Sequence, residues 1–463
     1  MTDSAQAIAP PASVRPASID GRTRLLLEAP VLPLLLRMAW PNMLIMVAQA
    51  STGLVETWWV SKLGTDALAG MALVFPPVML MTMISAGAMG GGISSAVARA
   101  LGAARKSEAD ALVLHAVVIN LIAGAGFSAL FLLFGAPLYR LMGAEGGALD
   151  AALAYSDTVF AGTLLIWLMN GLASVIRGTG NMLFPAMVTC GGVAFLVPVS
   201  PLLIFGFGPV PGLGIAGGGV ALLLFYAAGT AVMAWYILAG RTPVRFCRVP
   251  LRWDLFKGIL KVGTVSAITS IQTNVTIAGA TALVASAAGV GAVAGFGTGA
   301  RLEYLLIPLV FGIGAPLVAL VGTNIGAGQG ARALRIALAG GALAFLITEG
   351  IGIAAALYPQ AWLTLFSAEP DTIATGSAYL RVVGPFYGFF GLGMALYFAS
   401  QGAGRLFWPL ASGFLRVAIA LGGGYLALRL TGSLTALFAM LGVGLAAFGL
   451  TILAAVRSGA WFR

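Results

Sequence analysis

Residues 177–185 read RGTGNMLFP, and residues 401–409 read QGAGRLFWP. The two stretches lie 224 positions apart, so Gly178, Gly180 and Pro185 recur as Gly402, Gly404 and Pro409. The same spacing carries LGAARKSEA at 101–109 onto IGAGQGARA at 325–333, pairing Gly102 with Gly326. GTDALAG at 64–70 matches GVGAVAG at 289–295 one residue out of step. Three matches in one order at one spacing imply a duplicated unit about half the chain long. In an apolar chain, a doubled unit with glycine-rich junctions predicts a two-lobed transporter whose site lies between the lobes.

Composition settles the solvent. The chain is 60% hydrophobic and only 9% charged, with a mean hydropathy of +1.00, whereas soluble domains carry roughly 25% charged residues. Glycine, at 64 of 463 residues, is about twice its usual share and lets helices in lipid approach closely. The expected fold is an all-α polytopic membrane protein with about twelve transmembrane helices in two pseudo-symmetric six-helix lobes. The first lobe's spans fall near 35–61, 68–99, 111–137, 152–176, 182–206 and 213–239. Those of the second fall near 258–287, 292–325, 333–358, 376–400, 407–430 and 433–456. Residues 1–30 read as a cytoplasmic tail, 31–240 as the first lobe, 241–257 as a basic linker and 258–463 as the second lobe.

With the N-terminus in the cytoplasm, Lys62, Arg140, Arg301, Arg381 and Arg429 fall at outer ends and Arg416 inside a span, leaving 19 of the 25 basic residues cytoplasmic. That is the positive-inside pattern, and it puts both termini in the cytoplasm of a plasma (inner) membrane. The net charge of +10 therefore reports topology and contact with lipid headgroups, not nucleic-acid binding. Cys190 and Cys247 lie far apart in this arrangement, which implies no disulfide. No metal cluster, Walker loop or nucleophile elbow occurs, so the chain is expected to be no enzyme, to hold no cofactor or metal and to act as a monomer. The lone His115 stands near the start of the third span. Without a nucleotide site, uphill transport must draw on an ion gradient.

Ionisable groups inside the membrane cost about 2.5–3.5 kcal/mol each on insertion scales, so those that persist have a partner or a task. Glu56 leads them. Gln49, Thr52 and Glu56 are spaced three and four residues apart, on one helix face. A polar stripe ending in a carboxylate is what a proton or cation site in lipid requires. The repeat mate of Glu56 is Thr281, so the charge belongs to one lobe. Asp157 and Arg381 are repeat mates of opposite charge and form a candidate outer gate. Glu349 and Arg416, each deep in a span, are expected to pair and hold the second lobe together, with a second proton site as the alternative, and Glu303 to sit at the interface. Asn170, Gln272 and Asn274 are uncharged groups available to a polar pathway, and Met79, Met81, Met83 and Trp167 are candidate lining of an apolar one.

Residues 39–70, AWPNMLIMVAQASTGLVETWWVSKLGTDALAG, resemble the first helix of the multidrug and toxic compound extrusion (MATE) family. Pro41, Glu56, Thr57 and Gly64 through Ala69 match that family's bending proline, its acid–Thr pair and its G-T-D-A-L-A loop; ARALGAARKSEA, RGTGN, TNIGAGQGARA and QGAGRLFWP resemble it too. The resemblance implies an antiporter of small amphipathic, often cationic drugs with a central cleft and membrane lipids as its other contacts. Two departures matter. Glu56 stands where the family usually has Asp, and Leu196 and Ser200 replace the Asn and Asp of its N-x-x-L-D-P-L line. Fewer oxygen ligands favour coupling to protons over sodium. A lipid-linked precursor flippase of the same superfamily is the alternative, though few cationic side chains are expected inside the membrane. A non-transporting scaffold would show no effect of Glu56 substitution, and an intramembrane enzyme would need a reactive cluster the sequence lacks.

Overall fold

A computed structural model describes residues 20–208 and 210–461. Its first helix, α1 (Gly21–Glu28), is short. The first lobe then comprises α2 (Val31–Ser61), α3 (Thr65–Gly102), α4 (Lys106–Leu141), α5 (Gly146–Ala161 and Thr163–Gly178, bent by 48°), α6 (Leu183–Phe205) and α7 (Ile215–Leu238). The second comprises α8 (Trp253–Gly289), α9 (Gly291–Gly326), α10 (Gly330–Leu357), α11 (Pro370–Ala403), α12 (Phe407–Thr431) and α13 (Leu434–Arg457). Among the described residues, eleven helices are long and apolar enough to span a membrane, twelve with bent α5 taken as one. This is the expected fold, with one addition: Gly206–Phe207 and Val210–Pro211 form a small antiparallel hairpin between α6 and α7.

Six spans per lobe bring the chain back to the side on which it began. The junctions after α3, α5, α7, α9 and α11 therefore share one end of the bundle, the linker end, and the two repeats run parallel. The backbone repeats with them. Gly180 and Gly404 take φ of 83° and 72°, Gly208 and Gly432 take 60° and 65°, and Ala104 and Gly328 take 56° and 74°. Left-handed turns therefore recur at the 224-residue spacing, and Ala104 is the one non-glycine among the described residues to adopt the conformation.

The lobes meet where α3 crosses α9. A Cβ on Gly102 would lie 2.0 Å from the carbonyl oxygen of Thr323, and one on Gly326 would lie 2.2 Å from that of Arg99. Arg99 and Thr323 are themselves repeat mates, so the contact is its own image under a pseudo-two-fold axis running along the bundle. Parallel repeats place such an axis along the membrane normal. Arg99 Nη1 donates to Gly402 O at 2.9 Å and Gln401 Nε2 to Gly87 O at 3.4 Å, tying the seam further. Away from the linker end, Thr65–Thr82 of α3 and Gly146–Ala161 of α5 pack within their own lobe.

The lobes also exchange the beginnings of their first helices. Leu34, Leu35, Met38 and Ala39 of α2 are buried with Ile313, Leu317 and Ile336 of the second lobe. Reciprocally, Leu255 and Ile259 of α8 are buried with the first lobe's Ile93, Val97 and Leu112. The far half of α2 remains in its own lobe, where Val60 packs with Ala67 and Ile215. Pro41 lies between the two halves and removes one backbone donor inside the helix.

Two stretches differ from their sequence reading. Residues 1–19 of the expected tail lie outside the described residues, but residues 21–28 are helical, with Leu26 and Leu27 buried. Leu26 lies against Gly180, and its carbonyl accepts from Asn324 Nδ2 at 3.2 Å, so α1 touches both lobes. A window scored for apolar length passes over a helix this short. The linker ends at Arg252 rather than at 257, because helix α8 starts beyond Pro250 with Asp254 in its first turn.

Because backbone lies on both sides of the α3–α9 crossing, Gly102→Val cannot be accommodated by rotamer change. Spin labels at the repeat-related junction residues Arg105 and Gln329 should then report, by double electron–electron resonance, a distribution shifted to longer distances than in otherwise wild-type protein.

Candidate functional site

Glu56 reaches its surroundings from the far half of α2. The residue is 9% exposed, and Ser200 Oγ of α6 donates to Oε2 at 2.9 Å. Gly218 of α7 leaves room beside it, since a Cβ there would lie 3.4 Å from Oε2 and 3.9 Å from the Tyr155 ring of α5. Oε1 is buried and finds no protein partner among the described residues, and neither does Trp59 Nε1 one turn on. Leu196, one turn before Ser200, is 1% exposed and adds only hydrocarbon. The site is thus one carboxyl group, one hydroxyl and an apolar wall inside the first lobe. No group of three His, Cys, Asp or Glu able to hold a metal occurs among the described residues. Such a pocket can hold or release a proton far more readily than it can encircle a hard cation.

The other residues singled out from the sequence scatter. Gln49 is exposed, and Thr52 Oγ1 is turned back to its own helix, donating to Ala48 O at 2.9 Å. Asn170 Nδ2 donates to Ser85 Oγ at 2.8 Å, joining α5 to α3. Gln272 Nε2 reaches Leu410 O at 3.4 Å, and Asn274 donates to Ser270 O of its own helix at 2.9 Å. Asp157 and Arg381 are both exposed, and no ion pair joins them in this arrangement, where the lobes meet at the linker end. Trp167 is buried in the first-lobe core beside Phe127 rather than lining a cleft. His115 is buried: Nδ1 lies 2.8 Å from Ala111 O, and Nε2 accepts from the Arg252 N–H at 2.9 Å. A neutral ring protonated on Nδ1 satisfies both contacts, so His115 fastens the linker to α4.

The expected Glu349–Arg416 pair does not form. Arg416 Nη2 bonds Glu303 Oε1 at 3.0 Å, and Tyr379 donates to Glu303 Oε2 at 3.2 Å. Glu349 Oε2 instead accepts from the Gly388 N–H at 2.7 Å, an amide at the irregular start of the helix after Pro385. Glu303, read from the sequence as interfacial, is thus engaged by both Arg416 and Tyr379. This cluster occupies the second lobe at the place that Tyr155 and Leu196 mark in the first, since Tyr379 and Ala420 are their repeat mates and line one cavity with Glu303 and Arg416. One lobe thus holds an acid without a cation, the other a compensated pair. Sequence spacing gives depth but not the face from which a side chain leaves, so it could not choose between Glu303 and Glu349.

The sequence model of the MatE family matches residues 41–202 and again 266–426, one copy per lobe. The chain belongs to the MATE family. It is a secondary transporter, not an enzyme, and a multi-pass membrane protein. Among curated proteins it is 29% identical to the FAD transporter of Shewanella oneidensis, over 81% of this chain and 82% of that protein. It is 26% identical to the probable multidrug resistance protein NorM of Thermotoga maritima, over 83% and 82%. Among solved structures, one described as MATE in the straight conformation superposes with a TM-score of 0.86 at 25% identity, covering 96% of this chain and 99% of that one. A MOP superfamily transporter from Pyrococcus furiosus gives 0.87 at 24% identity, with the same coverage.

Stripping one partner from a buried ion pair leaves the other uncompensated, typically at a cost of about 3–5 kcal/mol. Arg416→Met should therefore lower the thermal midpoint in detergent, and Glu303→Gln combined with Arg416→Met should recover most of that loss.

Proposed function

We propose that this transporter exports amphipathic compounds, many of them cationic drugs, in exchange for protons, with Glu56 as the coupling carboxyl group. The observation that carries this reading is a buried acid with no paired cation, whose one hydrogen-bond partner among the described residues is the Ser200 hydroxyl. Sodium coupling is the weaker alternative, because a sodium ion needs several oxygens and this pocket supplies few. The basic residues gather at the linker end, so that end faces the cytoplasm of a bacterial inner membrane.

Helix α2 gives the proton its leverage. Its beginning is fixed in the second lobe's core, its far half carries Glu56, and Pro41 joins them. Neutralising Glu56 changes what its carboxyl group asks of α6 and α7, and α2 passes that change across the lobe boundary. Release of the proton toward the cytoplasm resets the site. Proton and cargo then oppose one another thermodynamically without sharing a position. A separate cargo reading has one specific support: the relative from Shewanella oneidensis is an FAD transporter, so a flavin nucleotide is a second substrate class.

In proteoliposomes with pH and sodium gradients imposed separately, ethidium transport should follow the pH gradient. Glu56→Gln should abolish that response while leaving insertion and monodispersity intact, and Glu56→Asp should keep part of it. Undiminished proton-driven transport by the Gln variant would remove Glu56 from the mechanism.

A further inference from the structure

We infer that the seam between the lobes carries a site for an oxyanion, a phosphate-bearing group above all, anchored by Arg177. A cavity lies there on the pseudo-two-fold axis. Its walls pair Gly87 with Phe311, Ser94 with Val318 and Arg177 with Gln401, each the repeat mate of the other. Anything that moves along the axis between the lobes meets these residues.

Arg177 stands at the end of α5, and its side chain turns back into the bundle, where Nη2 donates to Ser174 Oγ at 3.0 Å. No carboxylate pairs with it and none lines the cavity; the ion pairs among the described residues are Arg24–Glu28, Arg105–Glu108, Lys106–Asp110 and Arg416–Glu303. A guanidinium is a planar donor array suited to phosphate and carboxylate, and among the described residues the bond to Ser174 is the one this group makes. Two further polar atoms on the same cavity are buried without partners. Ser94 Oγ, on a residue 5% exposed, can donate, and Gln401 Oε1, on a residue 0% exposed, can accept. Gln401 Nε2 is already used, donating to Ser266 Oγ at 2.9 Å, which fixes the direction of its carbonyl. The complement of a cation, a hydroxyl and an acceptor is an oxyanion with a neighbouring O–H or N–H. Because Arg177 faces Gln401 rather than a second arginine across the axis, the ligand is held in one orientation.

This rests on the transport role proposed above, in its flavin-nucleotide reading rather than its cationic-drug one, and assigns the residues that would hold the phosphate. It is tested at equilibrium with no gradient, so a failure here leaves coupling through Glu56 untouched and a failure of coupling leaves this measurement readable. Riboflavin, flavin mononucleotide and FAD share a ring and differ in phosphate. Titrated by flavin fluorescence into protein in phosphatidylcholine nanodiscs, the two phosphorylated flavins should bind about ten- to hundredfold tighter than riboflavin, the worth of a charge-assisted bond. Arg177→Gln should bring that ratio to within about twofold of unity, and Arg177→Lys should retain part of it. Ser94→Ala should lower the ratio independently and serves if the arginine variants fail to fold. Equal binding of all three flavins by the wild type, or an unchanged ratio in Arg177→Gln, would overturn the site. Phosphatidylglycerol in the nanodiscs separates the sources of phosphate: its displacing flavin mononucleotide would assign the cavity to a lipid headgroup and overturn the cargo reading, and its having no effect supports that reading.

Discussion

Backbone-to-backbone approach at the α3–α9 crossing is the constraint on which the rest of the structure depends. Lipid offers no hydrophobic drive to hold two helix bundles together, so contact area must come from helices that lack side chains where they cross. Gly102 and Gly326 provide this twice over, each lying on a carbonyl of the other's helix. The axis passes between them, and the parallel arrangement of the lobes, the shared linker end and the cavity bearing Arg177 all take their positions from it. Glycine is required at these two places because a methyl group would collide with peptide atoms that cannot turn aside.

Symmetry explains the scaffold, and its violation explains the chemistry. Tyr155 and Tyr379 occupy matching places, yet one overlooks Glu56 and the other donates to an acid already neutralised by Arg416. Arg177 and Gln401 likewise match in position and differ in charge. A perfectly doubled protein would have the same proton affinity in both lobes and no preferred direction for a bound ion. Under the proposed coupling, difference between equivalent positions is what would let one lobe respond to protons while the other holds its form.

Much of this was legible because glycine and proline announce backbone demands. The repeats at 177–185 and 401–409 imply a duplication, and the structure places left-handed turns at their matching Gly180 and Gly404. The position of Glu56 beside Ser200 followed from a family pattern read residue by residue. The misses share one cause. A span drawn from hydropathy has a depth but no rotation, so Arg416 was matched with Glu349 when Glu303 faces it, and Arg177 was counted among cytoplasmic charges although its side chain turns inward. A polar pair at matching positions, Arg177 and Gln401, beside glycines in otherwise apolar helices, was the available signal.

The exchanged beginnings of α2 and α8 bear on how the chain is made. Leu35 completes the second lobe's core, and its repeat mate Ile259 completes the first's. Neither half therefore holds a finished interior by itself, in the manner of an arm-swapped dimer whose two subunits have become one polypeptide. During synthesis the first six spans leave the translocon with a gap that only α8 fills, while the start of α2 waits for α9 and α10 to emerge. Final consolidation belongs to the last stage of insertion, and an ancestral single-length copy would have matured only as a pair.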